Sequence, residues 1–360
     1  MTKLELNKNT GFIEVAPKPL DFVAGAETGI ADIELNPSGD WTSYLPTDER
    51  QKVSTFDTMA CVSFSALNVI ETVLNFKINQ GILSTDDFNW LVTNGYVDIN
   101  NRVNFSDRFT AKMSGTTTNG NSLPAVADSI RNHGLLPQKD WEFIGIFEWS
   151  EFYKEIPQEL KDKALQFKNR FEVKYEWIGL NTPETTTLAR YATNLRKSPL
   201  QVATAVCPPW NTSEILLTCG FGVAHATSIF DLEEGQWWDV FDHYDPFRKR
   251  FALDYTIPYA MGFSVNPRVI APPPPEFHYY FTKTIYFGER SEEVKRLQFA
   301  LKVNGVFNVE PTGYYGEITR KAVIDFQRKY QVASESEILS VNGRWVGPKT
   351  RAKLNELYGS

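Results

Sequence analysis

Four consecutive prolines at residues 272–275 constrain this chain more than any other feature. Proline lacks a backbone N–H and fixes φ, so such a run continues neither a helix nor a central strand. It favours an extended, stiff polyproline II spacer. The chain is therefore expected to divide here, and 360 residues suffice for two domains of ordinary size.

The net charge of −7 also divides unevenly. Residues 288–360 carry 12 Lys and Arg against 9 Asp and Glu, a net of +3, which leaves −10 on the rest. A body at −10 argues against nucleic acid as a partner, because phosphate binding needs clustered Lys and Arg. The slightly positive tail suits an anionic surface such as a cell wall. Residues 1–22 contain no apolar core of a secretory leader, so none is expected. The longest mostly apolar run, residues 215–226, is too short and too broken by glycine to span a bilayer, so no membrane partner is expected. Only Cys61, Cys207 and Cys219 occur. An odd number without framework spacing argues against a disulfide scaffold and turns attention to a single working thiol, with the others as buried bystanders.

The C-terminal segment reads as helices. Val294, Leu297, Ala300 and Leu301 form an apolar stripe that closes at Asn304 and Gly305. Ile318, Ala322, Phe326 and Tyr330 recur at steps of four, and Leu354 and Leu357 mark a third helix. A short repeat precedes the last two: Gly313, Gly316, Thr319, Arg320 and Ala322 match Gly343, Gly347, Thr350, Arg351 and Ala352. Together with Gly288, Ser291, Gln298, Val306, Phe307, Val323 and Gln327, these residues resemble the peptidoglycan-binding type 1 family across residues 288–357. The resemblance implies a three-helix docking module that attaches to bacterial peptidoglycan. It assigns no wall-contacting residue.

The N-terminal two-thirds runs from helix signals to strand signals. Residues 61–79 are apolar on more than one face, as in a buried helix, and residues 122–133 read as a capped helix. Residues 150–171 are helical with a break at Pro157, and β-type runs follow at 171–178, 200–206, 224–230, 237–241 and 250–255. Helices first and strands later predict an α+β domain with a helical half facing a sheet half.

Cysteine hydrolysis needs a thiol, a base, a group that orients the base, and oxyanion donors. Cys61 opens the apolar helix, where the helix dipole favours a thiolate. Of four histidines, His133 lies at a helix end and His278 near the proline run, whereas His225 heads a β-run. Asp242 follows 17 positions later, at the end of the next strand. Taken singly, a cysteine in an apolar helix or a histidine at a strand end is usually structural. The order and the offset together favour catalysis. The glycines at 220 and 222 lack the context of a dinucleotide site, no Cys/His cluster has zinc spacing, and Asp242 to Asp245 lacks the loop of a calcium site. No cofactor and no metal are expected.

The same residues resemble the papain-like (C1) cysteine peptidases. Cys61, Phe64 and Ala66 match that family's nucleophile helix, residues 200–203 the strand before the base, and His225 with Ala226 its His-Ala pair. Residues 241–244 stand where the family has Asn-Ser-Trp, residues 120–134 resemble one wall of its cleft, and Asp40 and Trp41 resemble the start of its mature enzyme. The resemblance implies a two-lobed fold and a Cys61–His225–Asp242 catalytic unit. The sequence departs from the family in four ways. Thr58 and Val62 stand in place of a half-cystine and a tryptophan, Asp242 replaces the orienting Asn, and Tyr244 stands where tryptophan would cover the acid–base bond. The oxyanion glutamine's position holds Thr55, leaving Gln51 as the candidate if the intervening loop is four residues longer.

The expected domains are an N-terminal arm (1–39), a papain-like peptidase (40–265), a proline-rich linker (266–287) and a wall-binding helical domain (288–360). By resemblance the chain is expected to be a monomeric cysteine peptidase that cuts the peptides of bacterial peptidoglycan in the manner of a phage endolysin. It would be made in a host cytoplasm and released at lysis, or carried on the virion. Two rivals remain open: a wall-anchored protease acting on proteins, and an inactive papain-like scaffold for wall binding or virion structure.

Overall fold

The computed structural model describes residues 11–15, 34–180, 184–219, 222–268, 277–307 and 309–359. The chain divides into two compact units, Met1–Arg268 and Val269–Ser360. The four prolines at 272–275, and most of the expected arm (residues 1–10 and 16–33), lie outside the described residues.

The first unit is α+β and two-lobed. Its helical lobe contains α1 (Cys61–Asn79), α2 (Thr85–Thr93), α3 (Asp107–Met113), α4 (Leu123–His133), α5 (Trp149–Phe152) and α6 (Gln158–Arg170). Its sheet lobe follows as β1 (Phe171–Leu180), α7 (Glu184–Leu195), β2 (Leu200–Thr204), β3 (Ile215–Leu216), β4 (His225–Glu233), β5 (Trp237–Phe241), β6 (Arg248–Ala252) and β7 (Tyr259–Pro267). The seven strands lie in the order β1-β7-β2-β4-β5-β6-β3. Strand β7 escaped the sequence reading, although it pairs with both β1 and β2.

Helix α1 is apolar enough to pass for a membrane span, yet it is the core helix of this unit. Its Leu67, Ile70, Val73 and Leu74 are buried in one cluster with Tyr175 and Met261 of the sheet. The sheet pins the first turn of α1 directly: Gln201 of β2 donates to the Val62 carbonyl and to the Ser65 hydroxyl, each at 2.9 Å. Such a bond between two buried groups contributes about 0.5–1.5 kcal/mol and fixes the helix start against the strands. On the sheet's other side Trp41 is fully buried, and its indole N–H donates to the Leu195 carbonyl.

A short N-terminal stretch crosses this unit. Ile13 donates to the carbonyl of Asn121 at 2.7 Å and Asn121 donates to that of Gly11 at 2.8 Å, while Phe12 sits in the α1 core. Gly11 has φ +110°, and a Cβ there would lie 2.2 Å from the Met59 carbonyl oxygen. Only glycine fits this approach.

The second unit has its own core, with Leu297, Tyr315, Phe326 and Leu354 among its buried residues. It comprises β8 (Ile285–Tyr286), α8 (Glu292–Val303), α9 (Glu317–Lys329), α10 (Glu335–Val341), β9 (Trp345–Val346) and α11 (Pro348–Tyr358). The three expected helices are α8, α9 and α11; α10 is a further short one, started by a Ser334–Glu337 capping box. Phe281 and Ile285, inside the stretch read as linker, are core residues because their apolar side chains are buried here.

Candidate active site

Cys61 is the first residue of α1, and His225 is the first of β4. The Ala226 N–H, one residue beyond His225, hydrogen-bonds the Cys61 sulfur, so the thiol lies against the head of β4. The β4–β5 hairpin then sets Asp242 beside His225, with His225 Nε2 2.7 Å from Asp242 Oδ1. All three side chains are fully buried. The backbone enters α1 through Met59 at φ +56°, a left-handed conformation uncommon for a side-chain-bearing residue.

Burial raises the Cys61 thiol well above its ordinary range. The Ala226 and Val62 N–H groups oppose that rise, and the nearby Asp57 and Asp242 add to it. Closed in this way, Cys61 is a neutral thiol. The thiolate expected from the helix start needs a more open or more cationic setting.

Asp242 behaves in the opposite way. Burial would raise its pKa, but His225, Lys249 and His243 outweigh burial and hold it well below the usual carboxylate range. Its Oδ2 accepts from the Trp210 indole at 3.0 Å and from Lys249 Nζ at 2.9 Å, the ion pair being fully buried. Burial pulls Lys249 below its ordinary value, with Asp242 opposing. The amine also donates to the Tyr244 and Pro246 carbonyls at 2.6 and 2.5 Å, so three donors meet three acceptors, as an ammonium requires. The pair is therefore ionised and net neutral. It presents His225 with a hydrogen-bond acceptor of no net charge, which is what an asparagine would offer.

The sequence reading missed Lys249, Trp210 and His243. Lys249 was legible in principle, since strand alternation between Arg248 and Arg250 turns it inward. Trp210 lies in a loop closed by a Cys207–Cys219 disulfide, contrary to the expectation that these cysteines are bystanders. Their 12-residue separation allows their Cα atoms to approach to 5.4 Å, a distance a disulfide spans readily. The Trp210 ring stands edge-on to His225, and Tyr244 packs against the same imidazole, with centroids 5.4 and 5.3 Å away.

Gln51 is fully buried beside this group. Its amide donates to Asp57 at 2.8 Å and to the Tyr244 hydroxyl at 2.9 Å, and its carbonyl oxygen lies 3.1 Å from His243 Nδ1. His243 thus carries its proton on Nδ1, and burial, opposed by Asp242, lowers its pKa to about 3. Thr55 is turned away, its hydroxyl bonded to the Phe147 carbonyl. His133 lies exposed at the end of α4, and His278 is exposed in the second unit. His225, Asp242 and His243 bring potential metal ligands within 4.8 Å of one another. His225 Nε2 and Asp242 Oδ1 are engaged with each other and His243 Nδ1 with Gln51, and the cation on the carboxylate is Lys249.

Residues 290–335 match the family model described as a putative peptidoglycan binding domain. The chain matches no curated protein. Among solved structures it is similar to bromelain from Ananas comosus in complex with the E64 inhibitor, at 15% identity over 63% of this chain and 96% of that one, with a TM-score of 0.40. It is also similar to xylellain, a cysteine protease from Xylella fastidiosa, at 11% identity over 75% and 100%, with a TM-score of 0.43. A digestive procathepsin L 3 of Tenebrio molitor larval midgut is similar at 10% identity over 68% and 75%, with a TM-score of 0.44. These are likenesses, and the chemistry of the site rests on its residues.

Proposed function

We propose that this chain is a papain-like thiol peptidase held at the bacterial cell wall by its second unit. The reading rests above all on the buried His225–Asp242 hydrogen bond at 2.7 Å beside a thiol bonded to the Ala226 N–H. His225 takes the Cys61 proton, and the sulfur attacks the scissile carbonyl carbon. His225 then returns the proton to the departing amine, leaving a thioester that water cleaves. Asp242 orients the imidazole. Gln51 serves the oxyanion by releasing Asp57 or Tyr244, and its loss should cost about 10²–10³ in kcat.

The preferred substrate is a protein presented at the wall, ahead of the cross-links of the wall itself. Residues 11–15 support this order. They pair with the segment that resembles a cleft wall through a bridge of Phe12 with Asn121, so a peptide backbone lies beside the start of the nucleophile helix. Endolysin-like cleavage of peptidoglycan peptides is the second reading, favoured by the family match over residues 290–335. Parallel zymograms on casein and purified peptidoglycan decide between them. Clearing on both that is lost in Cys61→Ala supports the second reading, and clearing on neither returns the chain to an inactive scaffold.

A further inference from the structure

The two repeats of the C-terminal unit are built alike and differ in how their glutamine carbonyl is paired. In each, a buried glutamine donates to the threonine in the first turn of a later helix: Gln298 to Thr319 and Gln327 to Thr350, both at 2.9 Å. In each, an aromatic side chain folds over the glycine that starts that helix. A Cβ on Gly316 would meet the Tyr314 ring at 3.1 Å, and one on Gly347 would meet the Trp345 ring at 3.3 Å. The first repeat closes its glutamine completely, because Gln298 Oε1 accepts from the Gly313 N–H at 2.8 Å. The second does not. Gln327 is only 6% exposed, yet its Oε1 has no partner among the described residues. The Gln327 side chain forms part of the wall of a cavity of about 370 Å³, with Val332, Ile338, Val341, Trp345 and Thr350, and a small rotation brings its buried Oε1 to that space.

An unpaired buried carbonyl costs about 1–3 kcal/mol, and a fold keeps such a group most readily where a ligand satisfies it. The volume falls within the ordinary range for small-molecule sites, which are apolar with a few placed polar groups. The group that fits is compact, with an N–H beside a methyl and a ring that can lie on an indole. We propose that this cavity binds an N-acetylated sugar of the glycan strand. The acetamido N–H donates to Gln327 Oε1, the methyl enters the Val332–Ile338–Val341 wall, and the pyranose C–H face stacks on the electron-rich face of Trp345. Tyr314, the equivalent aromatic in the closed repeat, stands beside a glutamine that is already satisfied and binds nothing. The proposal deepens the wall-binding reading and rests on it.

The test is calorimetric titration of the full chain with an N-acetylglucosamine tetramer and with its N-deacetylated counterpart, beside pelleting on whole peptidoglycan. The acetylated tetramer should bind and compete with pelleting, and the deacetylated one should bind at least tenfold more weakly. Trp345→Ala should weaken both tetramer binding and pelleting at least tenfold. Trp345 is 43% exposed, so its loss spares the core. Gln327→Leu should do the same, with melting curves reporting the lost bond to Thr350 separately, and Tyr314→Ala should match the wild type. Equal binding of the two tetramers, wild-type binding by Trp345→Ala, or competition by free stem peptide in place of the tetramer overturns the assignment. A chain that pellets but ignores the tetramer loses only this cavity's role. A chain that never pellets loses the wall-binding reading itself.

Discussion

Replacing Lys249 with methionine would remove the ammonium bonded to Asp242 while keeping most of the side chain's volume. At 2.9 Å the two charges attract by about 6 kcal/mol for an effective dielectric near 20, before desolvation is counted. Desolvation consumes much of that, but breaking such a pair leaves a buried carboxylate uncompensated, at a cost of about 3–5 kcal/mol. For a unit of this size the melting temperature should fall by roughly 6–10 °C. Asp242→Asn in the same chain removes the stranded charge and should recover more than half of the loss. The functional effect is separate. The loss of the ammonium changes the acceptor that orients the His225 ring, so kcat/KM should fall in Lys249→Met and recover in the double variant. Calorimetry and steady-state kinetics read the two effects independently. A loss below about 1 kcal/mol, or a double variant no better than the single, would refute the neutral-pair account.

Three further outcomes are expected from the same geometry. Gly11→Ala places a methyl 2.2 Å from the Met59 oxygen, so the N-terminal stretch should lift away and iodoacetamide should label Cys61 at least tenfold faster by mass spectrometry; unchanged labelling removes that stretch from control of the site. His243 stays neutral in the fold down to about pH 3 but gains a proton near pH 6.5 when unfolded. The unfolded state then binds more protons, so this group's contribution declines by about 1.4 kcal/mol per unit as pH falls through that window; melting curves of His243→Gln should show a shallower slope. Removing the disulfide as Cys207→Ser with Cys219→Ser should cost about 2–4 kcal/mol and lower kcat by loosening Trp210 over Asp242; wild-type kcat in that variant would detach the loop from the site.

Much of this was legible in sequence because the relevant residues are scarce or periodic. One histidine at the head of a β-run, with an acid one hairpin later, pointed to the two residues that share a 2.7 Å hydrogen bond. The start of an apolar helix pointed to Cys61, which lies by the Ala226 N–H. What stayed hidden depends on distant partners. Lys249 sits in a strongly basic run that reads as solvated surface, and only the buried carboxylate across the hairpin makes an inward lysine tolerable. The disulfide was lost to a parity argument, although three cysteines can hold one bridge and one free thiol. Gln51's neighbours are Asp57, six residues on in its own loop, and His243 and Tyr244 in the loop after β5, which no local pattern connects to it.

The burial of Cys61 has a chemical consequence of its own. The same unit holds two cysteines oxidised and a third reduced, and oxidants select among sulfurs by thiolate character and exposure. A neutral thiol with no exposed surface reacts poorly with peroxide and cannot exchange with passing disulfides. Burial therefore protects Cys61 as a thiol, and it can persist in the oxidising surroundings that favour the Cys207–Cys219 bridge.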